Sequence, residues 1–390
     1  MSGERPTRAL LVNTGLLGHA SLARLLREEW SVPATGVEAM HLDLSAPLST
    51  PERVFRRLAC AGPRPGSAAG ALTLARFRHE LHTGVLAARR IHALERRDAA
   101  WDVLHFHTQA AAWASVRRMR RTPSVVSLDA TQQLAAGDAR GLARADHAPN
   151  AARDRRVFRA AAALVATSRW AADALARELP ALPVPVEVLP FPVRVAAFGA
   201  EWAAERAARA GHPPVRALFV GGDFPRKGGP ELLSAWVEGG LWEVAELTLV
   251  TDWPLDAAAL PPGVRVVRGV GAYSPEWIEL WRAADLFVMP TRAEAFGIVF
   301  QEAAAAQLPV VATRIAAVPE IVADGETGVL VPPGDPRALA GAVRALAADG
   351  ARRRAMGEAA RRRAAERADI GVYVRRLGEV LRRAAGRAAG

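Results

Sequence analysis

Two kinds of side chain are almost missing from this chain, and each shortage excludes a class of chemistry. Cys60 is the only cysteine among 390 residues. No intramolecular disulfide or thiolate metal cluster can form, which fits a reducing cytoplasm, and Cys60 reads as a small buried hydrophobe. Lys227 is the only lysine, so the other basic side chains are arginine. No run of 18 uninterrupted apolar residues occurs, so no membrane-spanning helix is expected. The opening MSGERPTRALLVNTG enters a strand-like segment directly, without the layout of a signal peptide, and a cytoplasmic protein is the expectation.

What is present suits a folded, two-domain chain. Half the residues are apolar (51%), enough for real cores, and the length accommodates two domains of ordinary size. The formal net charge is +11, with arginines crowded at Arg89–Arg97, Arg117–Arg121 and Arg352–Arg387. Most of these read as solvated faces of an Ala- and Arg-rich sequence. The basic amphipathic pattern within residues 51–97 also suits the surface of an anionic membrane.

The stretch Ala284–Asp335 organises the rest. A short apolar run, Leu286–Met289, stops at Pro290-Thr291 and is followed by Glu294-Ala295-Phe296-Gly297. An alanine-rich helix carrying Glu302 comes next, and then a second apolar run from Pro309 to Ala312. This reads as a parallel βαβ unit, whose loop lies at the carboxyl edge of the sheet where ligands bind. Phe296-Gly297 permits close backbone approach, and the N–H groups from Gly297 through Ile298 to Val299 suit a phosphate oxygen. A carboxylate at Glu302 can only accept hydrogen bonds, so a ribose diol suits it, and Glu294 would serve sugar hydroxyls likewise. A second strand, loop and helix opens at Val215. Gly221 and Gly222 allow backbone approach, and Arg226 and Lys227 supply cations for a diphosphate. The order G-x4-GK[ST] is absent, which excludes a P-loop.

Glu294 to Glu302 resembles the E-x7-E motif of the retaining, family-4 type (group 1) glycosyltransferases of the GT-B fold. PEIVADGETGVLVPPGD continues the likeness, which is tight from Val215 to Asp335 and looser before that. The resemblance implies two Rossmann-like α/β domains facing each other across a cleft. It places an acceptor domain at 1–193, a nucleotide-sugar domain at 194–371, and a helix from 372 to 390 crossing back to the first domain. Lys227 matches the lysine of the family's G-R-x(n)-K-G loop. Gly222 replaces the arginine, whose place Arg226 would take. WDVLHFH resembles the D-V-x-H-x-H strand, which makes His107 a donor-sugar contact and His105 structural. The loop Thr14–His19 brings in Gly15 and Gly18 as candidates near acceptor and donor. Asp129, after the strand Pro123–Leu128, is an acceptor contact or a helix cap. Ser168 is expected to cap the next helix. Ala316-Ala317 stands where the family often has two glycines before Pro-Glu.

The implied function is transfer of a sugar, with its anomeric configuration kept, from a nucleotide diphosphate sugar, a UDP-sugar first among them. The acceptor would be a hydroxyl of a glycan, a lipid-linked intermediate or a small metabolite. Glu294, Lys227 and His107 would act in catalysis. Gly221, Gly222, Arg226, Lys227, Phe296, Gly297, Ile298 and Glu302 would hold the donor. No cofactor or metal is expected, because fixed cations neutralise the diphosphate and no D-x-D pair stands in a suitable loop. Nucleic acid is not an expected partner; an anionic membrane at the inner face of the cell is a secondary candidate, behind the reading of the arginines as solvated faces. The rivals are a sugar-nucleotide epimerase or phosphorylase on the same architecture, and a basic lipid- or nucleic-acid-binding module with an inactive site. A pyridoxal phosphorylase would have to use Lys227, which stands in the phosphate loop instead.

Overall fold

The computed structural model describes residues 5–15, 18–62, 74–97, 100–137, 146–209 and 214–386. Among these, twelve strands pair in parallel into two six-stranded sheets. The first sheet contains Thr7–Asn13 (β1), Val37–Asp43 (β2), Val103–Phe106 (β3), Ser124–Leu128 (β4), Ala163–Ala166 (β5) and Val186–Val188 (β6). The second contains Val215–Val220 (β7), Ala245–Val250 (β8), Val264–Val267 (β9), Leu286–Met289 (β10), Val310–Thr313 (β11) and Gly328–Val331 (β12). Strands β3, β4, β5, β10 and β11 are buried along their whole length, which is why they read as unbroken apolar runs.

The chain divides into two compact units, Met1–Pro190 with Gly371–Gly390, and Phe191–Ile370. In the first, the strand order is β2-β1-β3-β4-β5-β6. The order reverses between β1 and β3, so their carboxyl ends frame a crevice. The helices Gly18–Glu29 (α1), Thr50–Ala59 (α2) and Ala75–Glu95 (α3) follow the first two strands. Ile91, Phe106, Trp113 and Leu164 belong to the core cluster of this unit. The closing helix Ile370–Gly386 is part of the same unit. A Cβ on its Gly378 would stand 2.9 Å from Thr35 Cβ, and Arg383 pairs with Glu187 at 2.7 Å.

The second unit has the order β12-β11-β10-β7-β8-β9, which is the doubly wound dinucleotide-fold order counted from β7. Its switch point lies between β7 and β10, the strands that precede the two candidate loops. Trp236, Trp281, Phe219, Phe287 and Phe300 are fully buried there. Trp281 stacks on Phe287 with ring centroids 5.3 Å apart. The incoming and outgoing ends of this unit are joined. Val193 N–H donates to Ala368 O at 2.8 Å, and Ile370 N–H to Val193 O at 3.0 Å.

Several sequence readings change here. Cys60 is half-buried rather than buried, with its thiol raised above the usual range by burial. The cap after β4 is Thr131, whose hydroxyl accepts from Leu134 N–H, so Asp129 is not the cap. Ser168 does cap its helix, accepting from Ala171 N–H at 3.1 Å. The glycine loop at 14–19, the loop at 61–70, the linker to 211, and the helix to 390 each run into residues 16–17, 63–70, 210–211 and 387–390. Those lie outside the described residues.

Candidate active site

In the second unit two loops meet at the carboxyl ends of β7 and β10. The first runs from Gly221 to Gly228 and ends at the helix Gly229–Glu238 (α4). Gly228 has φ +79, and a Cβ there would fall 1.9 Å from Pro290 O, so only glycine lets this loop lie against the end of β10. Backbone and side-chain bonds then stitch the loops together. Arg292 N–H donates to Arg226 O at 2.9 Å, Thr291 Oγ1 to the same oxygen at 3.2 Å, and Arg226 Nη1 to Ala293 O at 2.8 Å. Thr313 on β11 holds Thr291 O at 2.5 Å.

The stitching brings the charged candidates into contact. Lys227 Nζ is ion-paired with Glu294 Oε2, and their side chains are only 14% and 11% exposed. Arg226 Nη1 stands 3.9 Å from the same oxygen, while its Nε is held by Asp223 Oδ2 at 2.9 Å. The Lys227 stem lies over Gly221, where a Cβ would be 3.0 Å from Lys227 Cγ. Gly222 faces open space, with nothing within 4 Å of a Cβ. Thus the cation suited to a diphosphate and the carboxylate suited to a sugar neutralise each other in the free protein.

The helix Ile298–Ala305 (α6, after Pro275–Ala283, α5) begins at Gly297, whose φ is +90. Phe300 N–H closes onto Gly297 O at 3.0 Å, and the N–H groups of Ile298 and Val299 before it have no acceptor within the helix. Phe296 is buried with its ring set edge-on against Phe191 at 5.4 Å, so what it can offer a ligand is backbone. Glu302 lies one turn in, 8% exposed. Burial pushes its carboxyl up to about 8, against the pull of Lys227. A carboxyl held near 8 can donate as well as accept at neutral pH.

This shift gives a stability prediction. A carboxyl raised from 4.5 to about 8 leaves the folded state holding a proton that the unfolded chain has lost. Its stabilising effect is full below pH 4.5 and is lost as pH rises through about 8. The difference between wild type and Glu302→Gln in urea unfolding should change by up to about 1.4 kcal/mol per pH unit across that window. A pH-independent difference would refute the buried, neutral carboxyl.

The first unit holds the remaining candidates at its own sheet edge. His107 follows β3 and is buried, its N–H donating to Val12 O at 3.1 Å. The rings of His105 and His107 lie 4.4 Å apart, as alternate positions of a strand require. His105 Nε2 bonds Ser127 Oγ at 2.8 Å, and burial lowers its pKa to about 3, so it stays neutral. Gly15 has φ +66, and a Cβ there would meet Ser45 Cβ at 2.4 Å. Gly18 opens α1, and Asp129 is half-buried after β4. Thr291 and Asp223, which position the loops, were missed in the sequence, since neither stands in a recognisable pattern. Among the described residues no cluster of three His, Cys, Asp or Glu side chains is placed to hold a metal, and no helix is long and apolar enough to cross a membrane.

Comparison with known proteins accords with this layout. The family profile "Glycosyl transferases group 1" matches residues 214–349, and "Glycosyltransferase Family 4" matches residues 50–197. A D-inositol 3-phosphate glycosyltransferase of Corynebacterium urealyticum is 35% identical over 175 residues, 40% of this chain and 41% of that one. The chain thus spans about two fifths of that relative's length. The protein of the same name from Streptomyces bingchenggensis is 30% identical over 325 residues, covering 74% of this chain and 67% of the relative. The structure of Anabaena HepE in complex with UDP and glucose superposes with a TM-score of 0.66 at 15% identity, over 96% of this chain and 99% of that one. The two-sheet α/β fold is therefore GT-B, and the chain belongs to the group 1, family 4 glycosyltransferases.

Proposed function

We propose that the chain transfers a sugar from a UDP-sugar to a hydroxyl acceptor, keeping the anomeric configuration and using no metal. The observation that carries this reading is the joining of Lys227, Arg226 and Glu294 at the switch point of the second unit, beside the start of α6. On donor binding the diphosphate takes Lys227 from Glu294. The freed carboxylate then accepts from hydroxyls of the sugar, and Glu302 meets the ribose. As the glycosidic bond breaks, charge grows on the departing phosphate, where Lys227, Arg226 and the N–H groups at Gly297 and Ile298 already stand. A leaving phosphate oxygen takes the acceptor proton on the same face, so no separate protein base is needed. Within the first unit, His107 is the candidate sugar contact, and Gly15, Gly18 and Asp129 are the candidate acceptor contacts. The UDP and glucose named in the HepE complex support the choice of donor.

Thermal and urea unfolding with UDP, GDP, ADP and dTDP in chelator tests the donor. UDP at a hundred times its dissociation constant should add about 2.7 kcal/mol. No response to any of the four, from a folded protein, would refute the reading; a response only with added metal would refute metal independence. The anomeric proton signal of the product, read by NMR, decides retention.

A further inference from the structure

The first unit contains a cavity of about 1140 Å³ that starts at the carboxyl end of β1 and runs out to α2. Thr14 and Gly15 line its inner end, and Arg53, Arg56 and Arg57 line its outer wall. It is larger than most small-molecule sites. Among the described residues of the lining, Glu80 on α3 is the only acidic one, against three arginines.

The helix α2, TPERVFRRLA, contains three arginines and a single carboxylate, Glu52, which is committed elsewhere. Glu52 Oε1 accepts from Arg90 Nε at 3.0 Å and Oε2 accepts from Ser49 N–H at 2.7 Å. The bond to Arg90 holds the Glu52 carboxyl down at about 2. Arg53 is tied to its own turn through Leu48 O and Thr50 Oγ1. Arg56 and Arg57 form no ion pair among the described residues. The wall is nevertheless fixed in place, because Arg90 also bonds Asp43 O at 3.0 Å and Ala46 O and Pro47 O at 3.3 Å. One arginine thereby pins both α2 and the loop after β2.

From α3 the cavity is lined by His79, Glu80, His82, Thr83 and Leu86. Glu80 is half-buried and accepts from Gln132 Nε2 at 3.2 Å, and Gln132 is in turn held by His147 Nδ1 at 2.9 Å. Burial raises the Glu80 carboxyl above its usual range. A group so held suits hydroxyls rather than a second charge.

We infer that this cavity binds an acceptor bearing a phosphate group, with the phosphate on Arg56 and Arg57 and the hydroxyl-bearing part lying toward Glu80, Thr14 and Gly15. Two guanidinium groups on the cavity wall, without an ion pair among the described residues, suit charge-assisted bonds with a phosphate. The inference rests on the reading of the chain as a glycosyltransferase only for the name acceptor; the phosphate site stands on the cavity. The phosphate could belong to a soluble sugar phosphate or to a lipid head group. Exposed Val54 (55%) and Leu58 (73%) on the same helix make the lipid source worth a separate arm.

The test is calorimetric titration of the full chain with glucose 1-phosphate, glucose and inorganic phosphate. It is paired with flotation on phosphatidylcholine vesicles with and without phosphatidic acid. Wild type, the double variant Arg56→Gln/Arg57→Gln, Lys227→Ala and the surface control Arg117→Gln are compared. The expected result is binding of glucose 1-phosphate or of phosphatidic acid vesicles that weakens at least about tenfold in the double variant. It persists in Lys227→Ala and in the control, and which ligand responds identifies the source. No binding by wild type in either arm, or equal binding by the double variant, overturns the inference. Loss in Lys227→Ala instead would assign the phosphate to the donor loops. UDP stabilisation, unchanged in the double variant, shows that it is folded and keeps the donor reading separate.

Discussion

Lys227→Ala should lower turnover at least about a hundredfold, a loss of roughly 3 kcal/mol of transition-state stabilisation. The side chain is the only ammonium in the protein, and it stands where the leaving diphosphate needs charge. Its stem is laid over Gly221 and its head is directed at Glu294, so the charge is positioned before any ligand arrives. Fixed charge costs no reorganisation as the bond breaks, which is why one such group carries so much of the rate. The nearest substitute is Arg226, but its guanidinium is already shared between Asp223 and Ala293 O. Compensation from that side should be slight. Lys227→Arg should not rescue the rate fully, since a planar fork cannot replace a compact ammonium above a glycine backbone. The measurement is kcat and KM for UDP-glucose, with urea unfolding to show that the variant is folded. Turnover within a few fold of wild type would remove Lys227 from the mechanism.

What could be read in advance depended on how local the cause was. The βαβ unit around Glu294 was legible because fully buried parallel strands leave unbroken apolar runs and a glycine marks the helix start. Strand β2 escaped for the opposite reason. It is an edge strand, half-exposed, and Val37–Asp43 mixes charged and apolar residues without a clear period. Strand β12 was hidden inside a stretch recognised for its wording rather than its pattern. That Thr131 and not Asp129 caps the helix required the turn geometry, since polar residues two positions apart are equal on paper. The protonation of Glu302 could not be read at all, because a carboxyl's pKa follows from its burial and not from its neighbours in sequence. Ala316 shows the reverse case, a position where family resemblance suggests glycine and alanine takes its backbone. Its φ is +45, in the left-handed region, at a cost of about 1 kcal/mol.

Gly228→Ala should be among the most damaging single substitutions in the second unit, costing roughly 3 kcal/mol or more of stability. Two independent penalties coincide there. The left-handed φ of +79 disfavours any side chain, and the added Cβ would stand 1.9 Å from Pro290 O and 2.5 Å from Pro290 C. Those are backbone atoms at the end of a buried strand, so the glycine loop is the part that must yield. Once it lifts from β10, the bonds from Arg292 and Thr291 to Arg226 O stretch, and Lys227 moves away from Glu294. The loss of UDP binding should therefore exceed what the loss of stability alone would cause, at least about tenfold at a temperature where the variant is still folded. Gly222→Ala is the control for stability alone, six positions earlier in the same loop, with nothing within 4 Å of its Cβ. It should change stability by less than about 0.5 kcal/mol. If both variants behaved alike, the loop would owe its place to something other than contact with Pro290. A loss of stability confined to Gly228→Ala would show that the loop's place depends on this one backbone approach between segments distant in sequence.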